Sequence, residues 1–214
     1  MLEYVFFDLD GTLTDPKVGI TGCVAYALEK FGINVENHDD LAIFIGPPLY
    51  NSFVDFYGFS DENAKIAIEY YRERYTVTGW KENYVYEGIY EVLDTLKKRG
   101  YKLVIATSKP ENTTHMILEH FDLLKYFDFV SGATLDGTRN HKDEVIKHAL
   151  DSLNITDSHK VMMVGDRKFD ILGAKVFGIE TIAVEYGYGN LQEFQESNAA
   201  YVVKNSLEIL DIIK

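Results

Sequence analysis

The sequence predicts a doubly wound α/β fold, a parallel sheet flanked by helices, with a small all-helical domain inserted after the first strand. Three observations carry that expectation. Tyr4 to Leu9 is an apolar, aromatic and β-branched run that stops at Asp10-Gly11, as a buried strand does. Beyond Lys81, short apolar runs alternate with segments of helical periodicity, the pattern of parallel strands joined by crossover helices. Between the two lies a stretch with helical spacing and no buried strand.

In chain order, the insert spans residues 15–81, and 1–14 with 82–214 form the α/β core. Val24, Leu28 and Phe31 share one helical face, as do Ala64, Ile68, Tyr71 and Tyr75, with Ser60 placed to cap the second helix. Ile45-Gly46-Pro47-Pro48-Leu49 between them reads as a rigid turn. The core then continues with a helix through Val92, Leu93 and Leu96 ending at Gly100, a strand at 102–106, and a helix through Ile117 and Leu118. A short strand near Phe129 and Val130 follows, then a helix at 142–153, a strand at 160–164 and a helix at 170–177. Strands at 181–184 and 201–203 and a closing helix at 207–213 complete the pattern.

Composition narrows the function. Against 21 Lys and Arg stand 34 Asp and Glu, a net charge of -13 with no basic run, so a nucleic-acid partner is not expected. The same field repels any anionic substrate, so a phosphate site would need concentrated positive charge from a cation, a lysine and helix N-termini. Cys23 is the only cysteine, which excludes an intrachain disulfide framework and a thiolate metal cluster. The start of the chain shows neither a signal peptide nor a membrane span, and the expectation is a cytoplasmic monomer with no membrane partner.

Four places carry chemistry. Asp8 and Asp10 fall on one side of the first strand at its carboxyl end, where open α/β sheets bind ligands. Two such close carboxylates repel unless one is protonated or a cation lies between them, and oxygen ligands alone point to magnesium. Thr107 and Ser108 end the second strand with a hydroxyl and backbone amides at a helix start, which suits an anion or an ordinary cap. Lys142 opens a helix against its dipole, so it either points into water or is held for something such as a phosphoryl oxygen. Asp166 and Asp170 form a second acidic pair, sharing a face if the helix has begun; Arg167 and Lys168 beside them either neutralise the pair or contact substrate. His141 is left out of the site, since no two histidines show metal-ligand spacing. No glycine-rich dinucleotide fingerprint follows the first strand.

Asp8-Leu9-Asp10-Gly11-Thr12, Ala106-Thr107-Ser108-Lys109, Lys142 and Gly165-Asp166-Arg167-Lys168-Phe169-Asp170 stand in the order and spacing of the haloacid dehalogenase superfamily, which the chain resembles along essentially its whole length. The helical insert after the first motif, Gly46-Pro47-Pro48-Leu49 and Tyr186-Gly187-Tyr188-Gly189 resemble its phosphoglycolate-phosphatase-like branch. The resemblance implies a Rossmann-like core with a helical cap and a magnesium-dependent phosphatase acting on a small-molecule phosphate monoester: phosphoglycolate, a nucleoside monophosphate or a sugar phosphate. It implies that Asp8 is the nucleophile, and that Asp10 protonates the leaving alcohol and then activates water. Asp8, the Asp10 carbonyl and Asp166 would hold Mg2+, with Asp170 acting directly or through water; Thr107 and the Ser108 amide would grip the phosphoryl oxygens, and Lys142 would neutralise charge on them and on Asp8. Arg167, a candidate substrate contact, stands where a small hydroxyl residue is common in that family.

Asp10 argues against dehalogenases and transport ATPases, which lack an aspartate at that place. The alternatives are a phosphomutase of the same superfamily, or a binding protein without turnover. The cap is expected to set specificity: Gly46 and Pro47 either line the pocket or only turn the chain between cap helices, and Arg72 and Lys81 either hold a distal anionic group or, as long helical charges usually do, stay solvated.

Overall fold

Strand β1 (Tyr4–Phe7) is buried along its whole length in the computed structural model, which describes residues 1–214. It lies inside a six-stranded sheet with β2 (Lys102–Pro110), β3 (Phe129–Ala133), β4 (Val161–Gly165), β5 (Glu180–Val184) and β6 (Tyr201–Val203). The spatial order is β3-β2-β1-β4-β5-β6 and every pairing is parallel. Strands covered on both faces need apolar residues at every position, which is why β1 and β4 read as continuous apolar runs. The register sets Phe6 beside Val104 on one side and Met163 on the other. These three, with Tyr4, Ala106 and Val161, pack against Val145, Ile146, Ala149 and Leu150 of α6 (Lys142–Ser152). The order reverses at β1, whose neighbours lead away in opposite directions, and a crevice for ligands opens at the carboxyl ends of such strands.

The remaining helices of this unit are α4 (Ile89–Lys98), α5 (Glu111–His120), α7 (Lys168–Lys175), α8 (Leu191–Ser197) and α9 (Ile209–Ile212). Three boundaries differ from expectation. Strand β2 runs on to Pro110, past an irregularity in its pairing with β3, so Thr107 and Ser108 are extended residues and the helix starts only at Glu111. Helix α7 starts at Lys168, leaving Asp166 in the loop before it and Asp170 in its first turn, where the Asp170 carboxylate accepts from the Arg167 N–H at 3.0 Å. The closing helix is a 3-10 turn (Ser206–Glu208) followed by one α-turn, because Asn205 accepts from the Glu208 N–H and caps the chain there.

The chain divides into two compact units, 1–15 with 85–214 and 16–84. The second is helical: α1 (Lys17–Glu29), α2 (Leu49–Tyr57) and α3 (Asp61–Tyr75), with 3-10 turns at His38–Phe44 and Gly79–Lys81. Cys23, Val24, Ala27 and Leu28 of α1 and Ala64, Ala67, Tyr71 and Tyr75 of α3 are buried. Helix α1 stops at Glu29, so Phe31 lies beyond it and packs instead on Phe59, ring centroids 4.7 Å apart. Ser60 caps α3 as its position predicts, accepting from the Asn63 N–H at 3.2 Å. Arg74 pairs with both carboxylate oxygens of Glu82, at 2.7 and 2.9 Å, and lies 3.2 Å from the Cys23 thiol. No helix is long and apolar enough to cross a membrane.

Candidate active site

The β1 ladder closes at Phe7, and the backbone then turns tightly: the N–H groups of Thr12, Leu13 and Thr14 all point to the Leu9 carbonyl. Gly11 takes φ +82°, and a Cβ there would stand 2.1 Å from an Asp166 oxygen, so only glycine lets the first loop approach the loop after β4 this closely. Asp8 still donates its N–H to the Val164 carbonyl at 3.0 Å, which anchors it over the β1–β4 seam. Asp8 therefore continues the line of the strand while Asp10 lies in the turn, bridged to Thr14, and their carboxylates go to different partners.

Asp8, Asp166 and Asp170 converge, each with a carboxylate oxygen within 4.8 Å of the others, and all three are buried. Lys142 reaches them from the first turn of α6. Its Nζ lies 2.9 Å from Asp8 Oδ1 and 2.8 Å from Asp170 Oδ1, the latter an ion pair by distance without hydrogen-bond alignment, and it donates to the Ala106 carbonyl at 3.0 Å. Burial opposes the ammonium, but Asp170 and Asp8 outweigh it and hold Lys142 charged well above the usual lysine range. Burial raises the Asp166 carboxyl well above its ordinary value, with Asp170 and Asp8 adding to it, and burial raises Asp170 despite Lys142. Asp166 is positioned by the Tyr188 N–H, 2.8 Å from Oδ2, and by a longer contact of 3.4 Å from the Thr12 hydroxyl.

Three carboxylates against one lysine leave buried negative charge, and every donor is a hard oxygen. That set suits a hard divalent cation and gives no thiolate or imidazole for a softer one. The glycines around it fit the same purpose, since a Cβ on Gly187 would stand 2.3 Å from Asp166 Cβ and one on Gly165 2.3 Å from Asp170 Cγ.

Asp10 is held apart from this cluster. Lys109 Nζ lies 2.5 Å from its Oδ2, with the side chains only 7% and 13% exposed for Lys109 and Asp10. Burial raises the Asp10 carboxyl above its ordinary value against the opposing charge of Lys109. Thr107 is buried on β2 beside this pair in sequence, its hydroxyl accepting from the Lys109 N–H at 3.3 Å; Ser108 is half-buried next to it. Arg167 lies 3.1 Å from Glu193 of α8, so a structural partner occupies its guanidinium. Gly46, at φ +107°, and Pro47 form the turn before α2 in the helical unit, where Arg72 and Lys81 are exposed.

Several contributors escaped the sequence reading. Lys109 stood in the second motif without a role. Gly173 is another: a Cβ there would meet Lys142 Cγ at 2.8 Å, so this helical glycine opens the channel for the lysine stem. Tyr188 donates its hydroxyl to Asp15 as well as its amide to Asp166, and Tyr186 donates to the Thr12 carbonyl at 2.9 Å, tying the loop after β5 to the first loop. The Tyr-Gly-Tyr-Gly spacing was the signal for that tie.

A buried acid cluster with one lysine thus stands at the switch point of a parallel sheet, where open α/β sheets bind ligands. Comparison with known proteins gives the family. The model for haloacid dehalogenase-like hydrolases matches residues 5–184, and the chain belongs to that family. A 5'-nucleotidase of Pseudomonas aeruginosa is 46% identical over 191 residues, covering 89% of this chain and 86% of that protein. A protein of Mycobacterium tuberculosis named tyrosine-protein kinase PtkA is 38% identical over 207 residues, 97% of this chain and 70% of its own length. The crystal structure of a predicted phosphatase from Clostridium acetobutylicum has a TM-score of 0.95 and 46% identity, covering 100% of this chain and 99% of the other. The chain is a phosphatase of this family.

Proposed function

We propose that the chain hydrolyses a small phosphate monoester with magnesium, through an aspartyl-phosphate on Asp8. The observation that carries the reading is the shared lysine: Lys142 contacts both Asp8 and Asp170, while Asp166 completes a carboxylate cluster around the same space. An Asp8 oxygen attacks phosphorus, and the bond to the leaving oxygen breaks as Asp10 supplies the proton. Water then attacks the same phosphorus, Asp10 takes its proton, and Asp8 is released with phosphate. Lys142 holds Asp8 in place and offsets charge on the phosphoryl oxygens, which Thr107 and Ser108 grip from β2. Asp8, the Asp10 carbonyl, Asp166 and Asp170 would hold magnesium, which when bound supplies positive charge to the phosphoryl group. Among phosphoglycolate, sugar phosphates and nucleoside monophosphates, the last is favoured by the 46% identity to a protein named 5'-nucleotidase.

The test is phosphate release from that panel, with and without magnesium, beside Asp8→Asn. Turnover that needs magnesium and falls by about 10³-fold or more in Asp8→Asn supports the reading; magnesium-independent turnover, or an Asp8→Asn enzyme as active as the parent, overturns it. Because a 38% identical relative is named a kinase, radiolabel transferred to a tyrosine peptide or a sugar in preference to water would replace hydrolysis as the main reaction.

A further inference from the structure

The two lysines at the carboxyl end of the sheet divide the acids between them. Lys142 is committed to Asp8, Asp170 and the Ala106 carbonyl. Lys109 meets Asp10 at Oδ2, in a nearly closed setting. The other Asp10 oxygen, Oδ1, is buried and has no hydrogen-bond partner. Lys109 lies in the stretch over which β2 stays extended through Pro110, past Ala106.

We propose that Lys109 is a positioning residue that clamps Asp10 by one oxygen and so presents Oδ1 as the atom that exchanges the proton. This rests on the reading of Asp10 as proton donor to the leaving group. The torsion that turns a carboxylate about its terminal bond is broad, so an unclamped Asp10 spreads its two oxygens over many directions. Proton transfer requires hydrogen-bond reach and alignment to one oxygen of the ester. With Oδ2 held by the ammonium, only Oδ1 is left to face the ester, and the unpaired buried oxygen is the one a donor geometry needs.

The test compares kcat/KM, which reports transfer to the enzyme, for phenyl phosphate and 4-nitrophenyl phosphate in Lys109→Met and in Asp10→Asn. The rings match, but 4-nitrophenolate leaves without a proton and phenolate is the poorer leaving group. Lys109→Met is expected to lose about tenfold more on phenyl phosphate than on 4-nitrophenyl phosphate, a fraction of what a general acid supplies. Asp10→Asn should show the same selectivity, and the double variant no further selectivity than Asp10→Asn. Lys109→Arg, which keeps a charged donor, should recover part of the discrimination; Lys109→Gln serves if Lys109→Met fails to give the parent circular dichroism spectrum. Equal losses on the two esters in the Lys109 variants, with Asp10→Asn still selective, overturn the clamp alone. An unselective Asp10→Asn overturns the proton-donor reading beneath it, and the clamp with it.

Discussion

Lys142 sits where the helix dipole disfavours a cation, in the first turn of α6, and it is almost fully buried. It stays charged because Asp8 and Asp170 face it across less than 3 Å. Removing one partner from a buried charge cluster leaves the others uncompensated and costs about 3–5 kcal/mol. Lys142→Ala is therefore expected to lose stability of that order in urea unfolding, together with activity. Saturating magnesium should recover part of the loss in stability, since a cation then replaces the missing charge. The sequence showed the anomaly, a lysine at a helix start, but not its resolution: the partners lie far away in the chain. Lys109 shows the complementary case, a residue inside a recognisable motif whose partner Asp10 is 99 residues away.

The elements follow their periodicities closely, because a strand covered on both faces and a helix covered on one impose strong patterns. Their ends do not, because contacts elsewhere set them: β2 is lengthened where Lys109 meets Asp10, and α7 is started early by the Asp170 cap on Arg167. Gly173 in α7 belongs to this scale. In an exposed helix, Gly→Ala would add about 1 kcal/mol through helix propensity. Here the new methyl would meet Lys142 Cγ at 2.8 Å, its Cβ at 2.9 Å and the Asp143 backbone nitrogen at 3.0 Å. Overpacking of that kind costs about 1–3 kcal/mol, which exceeds the gain. Gly173→Ala is expected to lower the unfolding midpoint and to reduce kcat, the displaced lysine being the reason. A variant more stable than the parent would show that the α6–α7 contact yields freely.

For the whole molecule, the acid cluster is expected to make stability depend on pH and, under the proposed function, on magnesium as well. Burial pushes the Asp170 carboxyl up to about 6 and raises Asp166 and Asp10. A carboxyl whose pKa is raised on folding binds protons more readily in the folded state. Between its ordinary value of about 4 and the raised one, stability falls as pH rises. Without magnesium, the melting temperature should therefore fall from pH 5 towards pH 7 through these groups, and Asp166→Asn should flatten that slope. Magnesium bound there as proposed would select the ionised carboxylates, so its stabilisation should be greater at pH 8 than at pH 5. A magnesium increment independent of pH, or an unchanged slope in Asp166→Asn, would remove the cluster from this role.

The chain's local chemistry was enough for the layer architecture, the helical insert and the four places where acids, hydroxyls and a lysine meet the sheet's carboxyl edge, because side-chain period and residue type are local properties. Which carboxylate faces which cation is not local. Asp8 with Asp166 and Asp170, Asp10 with Lys109, and Arg167 with Glu193 are each settled by the parallel register that brings β1, β2 and β4 together and by loops that meet only once the sheet has formed. The same holds for Gly11, Gly173 and Gly187. Their need for a missing Cβ arises from a neighbour distant in sequence, and appears only when folding puts that neighbour within contact.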